Sequence, residues 1–434
     1  MPRRVVVFAV LVFAMPASAE EDGFVRLFNG KDLTGWEQVS CAADTFFARD
    51  GKIVTTGLPM GFLRTAKMYE NFVLEMEWMH LKEKGNSGLF VWSDALPAVG
   101  NCFSRAIEVQ ILDGTESANY TSHGDLFSIQ GATCKPDRPH PAGWMRCLPS
   151  ERRSKPFGQW NHYRVECNDG VMKLAVNGKV VSGLSQCKPR KGYLCLEAEG
   201  SECHFRNLRI KELPTTNPMP DEIAEEAKGF RTLYTGSLSG WKRESGHEGH
   251  WQPKDWILDY DGKSTAKVKD LWTEKEYGDF QLICDWRFSG KPKKMKRPII
   301  LPTGDVAMEN GKPKEVEVDD AGDSGIYLRG SDKAQANIWC WPIGSGEVWD
   351  YRIDKKMPPE VRAAATPKKK ADKPVGQWNR FLITMKGDRL TVDLNGQRVI
   401  ENAQLPGVPK RGPIGLQHHG DPIQFANLFV REME

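Results

Sequence analysis

The chain has 434 residues, with 60 Lys+Arg against 57 Asp+Glu, a formal net charge of +3, 40% hydrophobic and 27% charged residues. That length suits two or three domains at roughly 150 residues each, and the ordinary composition excludes wholesale disorder, collagen and a polytopic membrane protein. The charge is too balanced for a protein that holds nucleic acid through a global basic field. Gly 41, Pro 27, Trp 14 and Phe 19 indicate many turns joined by short aromatic strands, an all-β profile.

Taken in chain order, Met1 to Ala19 reads as a signal peptide. Arg3 and Arg4 form its positive start, Val5 to Ala14 an apolar run too short to span a bilayer well, and Ala17-Ser18-Ala19 a small-residue cleavage site. Removing Arg3 and Arg4 takes the net charge from +3 to +1. The expectation is a periplasmic or secreted protein with no membrane span once the peptide is removed. Eight of the 10 cysteines fall between Cys41 and Cys203. In an oxidising compartment an even count favours disulfides, and a Cys134–Cys147 bridge would staple the Pro-rich loop between them. Buried free thiols are the competing expectation.

The chain repeats itself. Gly23-Phe24 through Phe28 returns as Gly229-Phe230 through Tyr234, and Leu33-Thr34-Gly35-Trp36 as Leu238-Ser239-Gly240-Trp241. Asn86-Ser87-Gly88 returns as Asp323-Ser324-Gly325, and Gly158-Gln159-Trp160-Asn161 as Gly376-Gln377-Trp378-Asn379. Phe205-Arg206-Asn207-Leu208 returns as Phe425-Ala426-Asn427-Leu428. A repeat this long is a duplicated domain, expected at residues 20–213 and 229–434, with a Pro-rich linker over 214–228 that ends in a short helix near Asp221 to Lys228. Lys291 to Asp320 and Lys355 to Lys373, rich in Lys and Pro, are expected as surface loops of the second copy.

Within each copy the pattern is β. Tyr163 to Cys167 alternates, and Asn177-Gly178 and Asn395-Gly396 are strong hairpin signals because both turn residues take positive φ. Each copy is therefore predicted to be a β-sandwich or jelly roll.

The outstanding candidate for chemistry is Ile107 to Gly114. A strand period of two puts Glu108 and Gln110 on one face, with Asp113 at the strand end. A carboxylate there can act as acid or base and an amide can hold hydroxyls, the makings of a carbohydrate site. Glu77 and Asp285 keep an acid in both copies, as do Asp125 and Glu347, while Glu199 matches His419. His123, close to Asp125, can shuttle a proton. Trp92 and Trp144 are candidates for stacking on a sugar ring or for core packing. In the second copy Glu108, Gln110 and Asp113 align with Gln335, Asn337 and Cys340, and Arg329 stands where the first copy has Trp92. A Gln335–Asn337 row can bind hydroxyls without exchanging protons, so either one copy catalyses and the other binds, or the two use different chemistry.

Leu27-Phe28-Asn29-Gly30-Lys31-Asp32-Leu33-Thr34-Gly35-Trp36, Asn86-Ser87-Gly88, Glu108 to Asp113, Gly158 to Asn161 and Phe205 to Leu208 resemble the 3-keto-disaccharide hydrolase domain family, in both copies. The resemblance implies two tandem concanavalin A-like lectin/glucanase jelly rolls and a 3-keto sugar substrate. It implies loss of the acidified C2 proton, departure of the C1 group, and addition of water. Glu108, Asp113 and His123 are the expected catalytic residues. Gln110, Glu77, Asp125, Glu199, Arg329 and Asn337 are expected to contact substrate. A divalent metal on Glu108, Asp113, His123 or Glu199 would stabilise an enolate, although the sequence has no spaced metal motif. A non-catalytic carbohydrate-binding protein and an ordinary glycosidase with paired carboxylates are the alternatives.

Overall fold

The computed structural model describes residues 23–115 and 121–433; the expected signal peptide lies outside them. Each copy is a sandwich of two antiparallel sheets. In the first copy the large sheet has nine strands and the small sheet seven. The small sheet runs in the order Arg146–Cys147, Leu126–Ile129, Ala106–Leu112, Asn86–Ser93, Tyr193–Ala198, Gly61–Thr65, Trp36–Val39. In the second copy the corresponding sheets have eight and five strands. Alternation along each strand sends one set of side chains into the sandwich, where Leu89, Val109, Leu196 and Trp78 pack in one core and Ile326, Ala336, Leu416 and Trp286 in the other.

The repeated motifs hold the same joints in both copies. Trp36 Nε1 donates to the Leu27 carbonyl at 2.8 Å, and Trp241 Nε1 to that of Leu233 at 2.9 Å. The side chains of Asn177 and Asn395 accept the amides of His162 and Arg380 while their backbones take φ of 47° and 52°. Ser87 Oγ donates to the Glu197 carbonyl and Ser324 Oγ to that of Gln417, tying neighbouring strands of the small sheet.

Several expectations are corrected. All ten cysteines are free, and all but Cys134 are buried, so they serve as small apolar core residues. No helix forms over Asp221 to Lys228. A single 3₁₀ turn at Pro220–Glu222 is followed by extended chain that pairs Ile223 with Lys191 and the Glu225 carbonyl with the Ala95 amide. The segment within Lys355 to Lys373 is not a bare loop: it folds as the helix Pro359–Ala364, whose Val361 joins the core. Lys291 to Asp320 stays at the surface but pairs as two hairpins, Lys293–Pro298 with Glu315–Asp320 and Met308–Glu309 with Lys312–Pro313. Among the described residues no helix is long and apolar enough to cross a membrane.

The small sheet of the first copy packs on the large sheet of the second. The outer face of the first copy's small sheet, carrying Phe62, Phe90 and Cys195, forms one apolar cluster with Ile283 and Phe429 from the second copy's large sheet. The loop Asp94 to Arg105 of the first copy is gripped between them. Asp285 Oδ2 accepts the Gly100 amide at 2.8 Å, Arg380 donates to the Pro97 carbonyl, and Asn427 donates to the carbonyls of Ala98 and Asn101. A Cβ at Gly100 would lie 2.2 Å from the Trp378 ring, so only glycine fits there.

Candidate active site

Register brings the site together. Gly88 lies opposite Gln110, and Phe90 opposite Glu108, on the paired strands Asn86–Ser93 and Ala106–Leu112. On the other side Leu89 pairs with Leu196, which sets Glu197 beside Gly88 on the outer face. A Cβ on Gly88 would stand 2.8 Å from Glu197 Oε2 and 2.9 Å from Glu108 Oε1. The glycine of the Asn-Ser-Gly motif is thus the gap into which two carboxyl groups close. Asn86 carries the third: its Nδ2 donates to Glu199, and its Oδ1 accepts from Gln110 Nε2 at 3.0 Å. Tyr163 fixes the strand beneath by donating to the Gln110 carbonyl at 2.8 Å.

Three carboxyl groups in so little space cannot all ionise. Burial raises the Glu108 carboxyl, and the charge of Glu199 raises it further, with Arg146 opposing. Burial lifts Glu197 well above the carboxylate range, and Glu108 adds to the effect. Burial also lifts Glu199, which is half-buried, while hydrogen bonds from Glu197 and Asn86 favour its anion. Burial and mutual repulsion favour the protonated form of Glu108 and Glu197, and Glu199, the least buried of the three, is the one whose anion is held by hydrogen bonds. Glu197 Oε2 and Gln110 Oε1 are buried with no partner, two polar atoms left over for a ligand.

Asp125 belongs to this surroundings. It is fully buried and takes Arg146 through Nε at 3.0 Å and Nη2 at 2.7 Å, and the Arg146 guanidinium lies over the Phe127 ring, directly opposite Glu108 in register. Asp125 is therefore committed to Arg146. His123 lies in the turn before it, with Nδ1 2.9 Å from Ser154 Oγ. Gln110, Glu199 and Asp125 are thus gathered around Glu108 as expected groups of one site.

Other expected residues lie elsewhere. Asp113, five strand residues beyond Glu108, or roughly 16 Å, accepts the Lys84 amide and closes a turn. Glu77 sits on the large sheet, where Arg206 and Asn207 hold it, because a strand of the opposite layer carries it. Arg329 is no ligand for substrate: buried at φ 52°, it donates to the carbonyls of Gly278, Gly387 and Pro409 and pairs with Asp279. Asn337 occupies the Gln110 position of the second copy, opposite Gly325. Trp92 is buried against Phe72 and donates to the Glu70 carbonyl, while exposed Trp144 stacks on His140 at 4.6 Å. The proposed metal set is not assembled: among the described residues no three His, Cys, Asp or Glu side chains are placed to hold an ion.

Glu197, Asn86 and Arg146 are site residues that the sequence reading passed over. Period two across Leu196-Glu197-Ala198-Glu199 puts both acids on one face and is a usable signal. Arg146 has none, because it reaches Asp125 across a loop.

The fold defines a tandem all-β protein, two β-sandwiches of the same plan in one chain. More narrowly, the model of the 3-keto-alpha-glucoside-1,2-lyase-like domain matches residues 23–211 and again 229–431, so the chain belongs to that family and carries its domain twice. The chain is 24% identical over 243 residues to the 3-keto-disaccharide hydrolase of Bacteroides thetaiotaomicron, covering 45% of this chain and 80% of that one. Among solved structures, a Parabacteroides distasonis protein described provisionally as a glycosyl hydrolase is 25% identical, covering 44% of this chain and 95% of its own, with a TM-score of 0.35. The β-glucanase of Bacillus licheniformis is 13% identical, covering 45% and 100%, with a TM-score of 0.29.

Proposed function

We propose that the protein cleaves 3-keto-glycosides by elimination and hydration, in the first copy. The observation that carries this reading is the Glu108–Glu197–Glu199 cluster, three carboxyl groups gathered on one face around Gly88 and Asn86, two of them buried and one half-exposed. Glu199, the more exposed and the anion, removes the C2 proton that the C3 ketone has acidified. The electron pair moves to the ketone oxygen and returns to expel the C1 oxygen, which takes the proton of Glu108. A 3-keto sugar with a C1=C2 double bond conjugated to the ketone results. Water then adds: hydroxide joins C1, Glu108 takes its proton, and Glu199 returns its proton to C2. The sum is hydrolysis, with both carboxyls restored. Gln110 and Asn86 hold the sugar hydroxyls and keep Glu199 in place. Export through the Met1–Ala19 signal is part of the proposal, to be checked by N-terminal sequencing of protein recovered outside the cytoplasm.

The test is product analysis in deuterated water, with a disaccharide and its 3-keto form side by side. Cleavage of the keto form alone with deuterium at C2 is expected. Cleavage of the unoxidised sugar without deuterium would assign the carboxyls to ordinary glycoside hydrolysis instead.

A further inference from the structure

The second copy repeats the small-sheet face with the glutamates of the cluster replaced. Register places Tyr327 opposite Gln335 and Gly325 opposite Asn337, so Gln335 takes the position of Glu108. Leu416 pairs with Ile326 as Leu196 does with Leu89, so Gln417 takes that of Glu197. The substituted side chains form one connected strip. Gln335 Nε2 donates to Gln417 Oε1, and Gln417 Nε2 donates to the Tyr327 hydroxyl at 2.9 Å. The Tyr327 ring stacks on Trp272 with centroids 5.2 Å apart and planes 11° from parallel. Two glycines make room: a Cβ on Gly325 would strike Gln335, and one on Gly415 would lie 2.7 Å from the Trp272 indole.

This face points away from the first copy, which packs against the opposite, large sheet through Asp285, Arg380 and Phe429. Trp272 and Gln417 are half-buried and His419 is exposed, so its edge meets solvent. After the bonds within the strip, Gln335 keeps an oxygen and an N–H, and Gln417 keeps an N–H. An aromatic platform beside amide donors and acceptors suits the C–H face and hydroxyls of a neutral pyranose.

We propose that this strip is a second, non-catalytic binding site for unoxidised glycans, built on Trp272, Tyr327, Gln335 and Gln417. It rests on the carbohydrate reading of the family but not on the elimination chemistry. The experiment is calorimetric titration of the full protein with trehalose, maltose, cellobiose and laminaribiose at millimolar concentration. One of the four is expected to bind the wild-type protein and the Glu108→Gln variant alike. Trp272→Ala is expected to weaken that binding about tenfold or more. Gln417→Leu, a milder change on the half-buried edge, is expected to weaken it as well and serves if Trp272→Ala does not fold. Binding by none of the four, or equal binding by wild type and Gln417→Leu, overturns the proposal. Failure of the catalytic reading is seen separately, as absent turnover of a 3-keto disaccharide by wild-type protein that still binds the glycan.

Discussion

At the middle of the small sheet the first copy places Glu108, Glu197 and Glu199, and the second places Gln335, Gln417 and His419, on backbones that pair in the same register. The large sheets differ in the opposite sense. Glu77 of the first copy is held by Arg206 at the surface, whereas Asp285 of the second is fully buried, taken bidentate by Arg380 at 2.6 and 2.8 Å and by Asn427 at 2.8 Å. One duplicated frame thus has its acid concentrated on different sheets. In the first copy buried acid faces its own like charges and its protons become transferable. In the second, buried acid faces cations and backbone amides and becomes a clamp. What surrounds a carboxyl, more than its place in the alignment, decides its use.

The comparison breaks most easily at the active carboxyls. Glu108→Gln is expected to lower turnover of a 3-keto disaccharide by about 10²–10⁴-fold, measured as kcat. Gln335→Glu in that background is expected to restore none of it, because the second copy lacks the partner acids. Gain of activity there would make the copies interchangeable.

The clamp comes next. Asp285→Ala leaves Arg380 without its partner and releases the loop Asp94 to Arg105, and is expected to cost about 3–5 kcal/mol in denaturant unfolding. Glu77→Ala, at the same alignment position but only half-buried, is expected to cost at most about 1 kcal/mol. Equal losses would dissolve the distinction between the two sheets.

A pH series sharpens the account of the cluster. The folded-state carboxyls of Glu108 and Glu197 are raised above their unfolded values. The native chain therefore binds more protons than the unfolded chain, and stability falls as pH rises from the ordinary glutamate range through the raised folded values. Glu197→Gln removes one such group. It is expected to raise Tm by about 2 °C or more at pH 8 and to give no gain at pH 4, by calorimetry. A gain that is the same at both pH values would mean that Glu197 ionises freely in the fold.

The smallest effect should be shared. Asn177→Ala and Asn395→Ala each place alanine at positive φ and remove a turn hydrogen bond, and each is expected to destabilise its copy by about 1–2 kcal/mol. A large difference between the two would show that the hairpins carry different loads.

Strand-forming patterns, hairpin turns and the duplication were legible because each rests on residues close in sequence: Asn-Gly at positive φ, alternation along one strand, and motifs kept in order. Glu108, Gln110 and the loss of acid in the second copy were legible for the same reason. Asp113 and Glu77 misled because a strand pattern reveals which residues share a face but not which sheet the strand joins or where along it a partner sits. Arg329 misled because its guanidinium answers three carbonyls that are 51, 58 and 80 residues away.

Local pattern was enough for the class of fold, the repeat, the turns and the candidacy of Glu108, Glu199 and Asp125. Only the tertiary structure joined Glu197 and Glu199 to Glu108 across neighbouring strands, set Arg146 against Asp125, left the cysteines unpaired and turned Asp285 into an interdomain clamp. These depend on register between strands and on which groups lose water together. Both are settled by long-range packing, and a carboxyl has the same letter whether it is solvated, paired or crowded by its own kind.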